Sequence, residues 1–98
     1  MLKIAIFLNE EEIKMKIKKL NKKYLQKRTF WDADFNNLDE IRDQAFIVAR
    51  LVQRGSDLEL LHLQSVFSYS EIYVIIKNYM GVPTMILDYY KTMANASS

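Results

Sequence analysis

The chain has 98 residues, half of them hydrophobic, with two glycines, one proline, no cysteine and a formal net charge of +2. That length fits one domain, expected to span residues 1–98, and that apolar content is ample for a core, which argues against global disorder. The missing cysteine excludes disulfides, thiolate metal sites and cysteine catalysis, and scarce turn residues count against an all-β fold.

The expected class is all-α, a compact bundle of about five short helices. Met1 to Leu8 is apolar apart from Lys3. It is too short for a membrane span and lacks a secretory cleavage site, so the expected location is cytoplasmic. Periodicity leaves this segment as either a short strand or an extra helical turn.

A basic helix is expected over residues 10–28, capped by Asn9 and opened by Glu10, Glu11 and Glu12. Ile13, Ile17, Leu20 and Tyr24 would form its apolar stripe. Residues 29–37 read as a linker. A second helix would follow, capped by Asn36 or Asn37, with Leu38, Ile41, Ala45, Val48, Ala49 and Val52 as its inner face. Phe46, Ile47 and Leu51 lie off that stripe, so the helix should be covered on more than one side. Gly55 would be its left-handed C-terminal residue.

Ser56 with Glu59, and Ser68 with Glu71, have capping-box spacing and predict helix starts near Asp57 and Tyr69. The second of these should end at Gly81. Pro83 suits the start of a last helix over residues 84–93, with a frayed tail over 95–98. The helical core would then cover residues 29–94.

Charge is unevenly spread. Residues 1–28 hold nine Lys/Arg against three Glu, and residues 29–98 hold five against nine Asp/Glu. On a helical wheel Lys18, Lys19, Lys22 and Lys23 share one face, flanked by Lys14, Lys16, Lys27 and Arg28. Such a face fits phosphate groups of nucleic acid or an acidic partner, and with so little arginine it would read sequence weakly. The commoner meaning of a charge run is a solvated face, or one packed on the acidic remainder of its own chain.

Phe30-Trp31-Asp32-Ala33-Asp34-Phe35 is the other irregularity. Phe30, Trp31 and Phe35 form a candidate aromatic anchor for a partner. The alternative, favoured on sequence alone, is that the rings plug the helical core. Asp32 and Asp34 would then cap helix ends or pair with Arg42, Arg50 or Arg54. Burial of Trp31 predicts a cost of about 3–5 kcal/mol for Trp31→Ala, and surface exposure predicts almost none.

No catalytic site, metal site or cofactor is expected. His62, the one histidine, sits among Leu60, Leu61 and Leu63 and reads as a packed or edge residue. No nucleophile has a visible base partner, and no glycine-rich phosphate loop is present.

The succession Phe30-Trp31-Asp32, Asp34-Phe35, Asn37-Leu38-Asp39, Arg50-Leu51 and Gly55-Ser56-Asp57 resembles a family of short uncharacterised bacterial helical proteins. Those proteins carry a Phe-Trp-Asp opening and an arginine-centred helix ending in a Gly-Asp turn. The likeness covers residues 29 to 94, departing where Ser56 separates Gly55 from Asp57 and where Tyr89-Tyr90 replaces a tryptophan. It implies a bacterial origin and a helical fold, and it carries over no functional residues because the family has no established activity.

The sequence is therefore expected to encode a non-enzymatic regulatory module that binds a protein partner, antitoxin-like or defence-associated in style. The alternatives are a nucleic-acid-associated protein using the lysine face, and a structural homodimer.

Overall fold

In the computed structural model of the chain, residues 18–96 are described. They carry four α-helices: α1 Gln44–Arg54, α2 Asp57–Val66, α3 Tyr69–Ile76 and α4 Thr84–Ala96. Three 3₁₀ turns precede them, at Lys22–Tyr24, Lys27–Phe30 and Phe35–Asn37. The all-α class stands, with no strand among the described residues. The expectations for Met1–Leu8 and for the start of the basic helix lie outside them.

From Lys18 onward the basic helix is replaced by extended chain and two 3₁₀ turns. Burial explains the change. Leu20, Leu25 and Phe30 are all buried, yet residues five apart lie about 140° apart around an α-helix and cannot share one face. An irregular path turns all three toward the core. The Asn21 side chain accepts a hydrogen bond from the Lys23 N–H at 3.0 Å, the local competition that disfavours a continuing helix. Like charges at Lys18/Lys22 and Lys19/Lys23, each four residues apart, would further weaken one.

Both capping boxes form. In α2 the Ser56 hydroxyl accepts from the Glu59 N–H at 3.2 Å, while a Glu59 carboxylate oxygen accepts from the Ser56 N–H at 2.9 Å. Ser68 and Glu71 repeat the arrangement at 3.1 and 2.8 Å in α3. These starts agree with the sequence because the signal is contained within four residues.

The start and inner face of α1 differ from expectation. Asp39 caps the entry turn in place of Asn36 or Asn37, its carboxylate accepting from the N–H groups of Ile41 and Arg42 at 2.8 and 2.7 Å. Val48 and Ala49 are buried as expected, but Ile47 and Leu51, which lay off the stripe, are wholly buried too, whereas Ile41 is exposed. The helix does have more than one covered side: it packs on α2, α3 and the second 3₁₀ turn.

The two glycines exchange roles. Gly55 has φ −68°, an ordinary conformation, and Gly81 takes the left-handed one at φ +92°. Gly55 is required for space: an added Cβ would lie 2.6 Å from the Leu51 carbonyl oxygen. Gly55→Ala should therefore cost about 1–3 kcal/mol in urea unfolding. A change below about 0.5 kcal/mol would show that the end of α1 relaxes freely.

Helix α3 ends at Ile76, short of Gly81, and a turn leads to Pro83, whose carbonyl accepts from Ile86 and Leu87 at the head of α4. α3 and α4 form the most extensive helix pair. Tyr90 and Ala94 are buried, and the last helix runs three residues beyond its expected end at 93, taking in Asn95 and Ala96 of the expected tail. Ile72 and Ile76 join Phe30, Ile47, Leu51, Leu63 and Phe67 in one core cluster.

Candidate functional site: the Trp31 corner

Phe30 and Trp31 are neighbours with opposite fates. Phe30 is 0% exposed, its ring centroid 5.7 Å from Phe35 and 6.2 Å from Phe46. Trp31 is 73% exposed. The expectation that all three rings plug the core thus holds for Phe30, partly for half-buried Phe35, and fails for Trp31. The 3₁₀ turn ending at Phe30 commits that ring inward, and the next residue along the turn points elsewhere.

The turn carrying Trp31 is clamped from three sides. The Ala33 N–H donates to the Phe30 carbonyl at 2.9 Å. Both Arg50 terminal nitrogens donate to Asp32, at 2.6 and 2.9 Å, and one also donates to the Thr29 carbonyl at 3.1 Å. The same guanidinium lies 5.1 Å over the Phe46 ring. The Arg50 hydrogen bond holds the Asp32 carboxyl below its ordinary range, and Asp32 in turn pushes Arg50 upward. Arg50 was one of three partners the sequence allowed for Asp32, and α1 selects it.

Glu59 supports the clamp from below. It is 0% exposed. Besides closing its capping box it accepts from the Thr29 hydroxyl and the Gln26 N–H, both at 2.8 Å. Burial pushes its carboxyl up, but the hydrogen bonds from Ser56, Gln26 and Thr29 outweigh burial and hold it below the ordinary value. Glu71 has a parallel role: Lys18 donates to its two oxygens at 2.8 and 2.9 Å. Burial again opposes, and Lys18 leads the interactions that hold Glu71 low. Each capping-box glutamate thus fastens one stretch of the N-terminal segment onto a helix start.

These contacts consume part of the expected basic face. Lys18 is committed to Glu71, and Lys22 donates to the carbonyls of Phe35, Asn36 and Leu38 at 3.0, 3.3 and 2.7 Å. Lys23 lies 5.2 Å over the Tyr24 ring. Lys19, Lys27 and Arg28 are exposed, while Lys14 and Lys16 lie outside the described residues. Without a helix at residues 18–28, no single wheel face unites these cations.

Two shallow depressions border the Trp31 indole. One, of about 300 Å³, is lined by Gln26, Arg28, Thr29, Trp31, Arg54 and Ser56. The other, about 270 Å³, includes Lys27, Ala33, Asp34 and Asn36. Arg54 had no sequence signal linking it to Trp31, since only the packing of α1 brings them together.

His62 has a structural environment. Its Nε2 accepts from the Asn21 N–H at 3.0 Å, its ring centroid is 4.8 Å from Tyr24, and burial lowers its pKa. Among the described residues no His/Cys/Asp/Glu group could hold a metal ion, and no helix is long and apolar enough to cross a membrane.

These features define a small helical protein with a braced N-terminal segment and one outward-facing tryptophan. The chain belongs to a family of unknown function (DUF6922), whose profile matches residues 25–81. The match takes in the Trp31 corner, α1, α2 and α3, and stops before α4, short of the expected likeness through residue 94. No curated protein and no solved structure matches the chain.

Proposed function

We propose that the protein is a non-enzymatic helical binding module of the bacterial cytoplasm that acts by occupying a protein partner, with Trp31 as its anchor. One observation carries this reading: a 73% exposed tryptophan on a turn held by the bidentate Arg50–Asp32 pair. A large apolar ring left in water by a turn that is otherwise tied down is suited to an interface hot spot. Its fixed backbone also reduces the ordering cost of association. A regulatory, antitoxin-like role is the style of action that fits a small helical domain offering such a contact surface.

A second reading draws on exposed Lys19, Lys23, Lys27 and Arg28 beside the exposed rings of Tyr24 and Trp31. Cations interleaved with aromatic rings suit single-stranded nucleic acid. A self-assembled dimer would use protein-contact surfaces of the same kind as the first reading.

Gel filtration from native-like cells, with absorbance ratio and mass recorded together, separates these readings. The first predicts an assembly with protein that survives added salt and is weakened at least about thirtyfold by Trp31→Ala, the scale of a hot-spot truncation. Co-eluting nucleic acid that dissociates in moderate salt would replace it with the second. An unchanged assembly in the Trp31→Ala variant would remove Trp31 as the anchor.

A further inference from the structure

The chain has four arginines, and they divide cleanly. Arg42 is paired with Asp43 at 2.7 Å, and Arg50 with Asp32 at 2.6 Å. Among the described residues neither Arg28 nor Arg54 forms an ion pair, although the charge of Arg54 is felt by Asp32, and both line the same depression beside Trp31. Arg28 donates from Nε to the Gln26 side-chain oxygen at 3.0 Å, which leaves its two terminal nitrogens for a ligand.

We propose that this depression receives a carboxylate side chain from an acidic segment of the partner protein, with an adjacent apolar side chain resting on the Trp31 indole. The inference rests on the binding-module reading above. Guanidinium groups bind carboxylates through paired, charge-assisted hydrogen bonds, and two guanidiniums outside any described ion pair, beside an indole, offer both halves of such a contact. The depression, at about 300 Å³, has room for one or two side chains.

Charge complementarity favours a short acidic segment over an extended polyanion. Asp34 lines the depression on the far side of Trp31, and exposed Asp57 follows Ser56, which lines the near one. A phosphate backbone running past the corner would meet these carboxylates, whereas a single acidic side chain seated between Arg28 and Arg54 would not.

The test is selection of a random peptide library on the immobilised full chain. Selected peptides are then synthesised with a fluorescent label and titrated by anisotropy, a readout that survives removal of Trp31, the only tryptophan in the chain. Enriched peptides should carry Asp or Glu next to an apolar residue, and replacing those acids by their amides should weaken binding about tenfold or more. Arg28→Ala with Arg54→Ala should weaken the acidic peptides to the same extent. Both side chains are exposed, and far-ultraviolet circular dichroism verifies that the fold is kept. An empty selection, enrichment of peptides without acids, or peptides indifferent to the arginine pair would overturn the proposal. So would tighter binding of a ten-nucleotide oligothymidine than of any selected peptide. Loss of the peptides in Trp31→Ala, with retention in the arginine variant, would leave the anchor reading standing and remove only the acidic segment. The reverse pattern would keep the acidic site and remove the anchor.

Discussion

Truncating Phe30 to alanine should cost about 3–5 kcal/mol, whereas the same truncation one residue later, at Trp31, should change stability by no more than about 0.5 kcal/mol. The contrast follows from exposures of 0% and 73% in two neighbouring large rings. Phe30 packs among Phe35, Phe46 and the α1 core residues, so its removal leaves a cavity lined by groups already held in place. Trp31 has its indole mainly in water, and its backbone is held by neighbours that the substitution does not touch. Urea unfolding of both variants measures the difference. Equal losses would mean that the indole is covered in solution, and the anchor reading would lose its main support.

Glu59→Ala should be comparably damaging, at about 3 kcal/mol or more. One buried carboxylate receives the Ser56 N–H, the Thr29 hydroxyl and the Gln26 N–H. Its loss opens a capping box, leaves the buried Thr29 hydroxyl without its acceptor at about 1–3 kcal/mol, and frees two part-buried N–H groups at a smaller cost. Glu59→Gln keeps the shape but turns an amide N–H₂ toward donors, so it too should destabilise at neutral pH. The pH dependence has a definite sign. A carboxyl held below its ordinary value when folded stabilises the native state fully above the unfolded value, about 4.5, and loses that contribution as pH falls through the lower folded value. The stability gap between the wild-type chain and Glu59→Gln should narrow below about pH 4.5. A gap that stays constant from about pH 7 to pH 3 would show that the charge on Glu59 contributes nothing. Glu71, held low by Lys18 and Ser68, adds acid sensitivity of the same sign, which Glu59→Gln leaves in place.

The Glu59 result also bears on function. Gln26 and Thr29, which it holds, line the depression beside Trp31. A conserved fold with weaker binding in Glu59→Gln would locate the loss in the placement of that segment rather than in the Trp31 contact itself.

What the sequence determined by itself is the part written in short-range chemistry. Ser56 with Glu59 and Ser68 with Glu71 place two helix starts, because donor and acceptor lie within one turn of each other. Pro83 marks the entry to the last helix for the same reason, and the apolar content with few turn residues gives the all-α class. Tertiary structure decided the rest. Residues 18–30 have a lysine-rich, helix-like pattern, yet the burial of Leu20, Leu25 and Phe30 pulls them onto an irregular path. Those contacts span tens of residues, as between Lys18 and Glu71 or Thr29 and Glu59, and no local spacing encodes them. Gly55 is set by the nearness of the Leu51 carbonyl rather than by its own dihedral angles. The exposure of Trp31 and its meeting with Arg54 arise the same way. Which of two adjacent rings enters the core, and which arginine stands beside the other, depends on where α1 packs, and that is fixed only when the whole core closes.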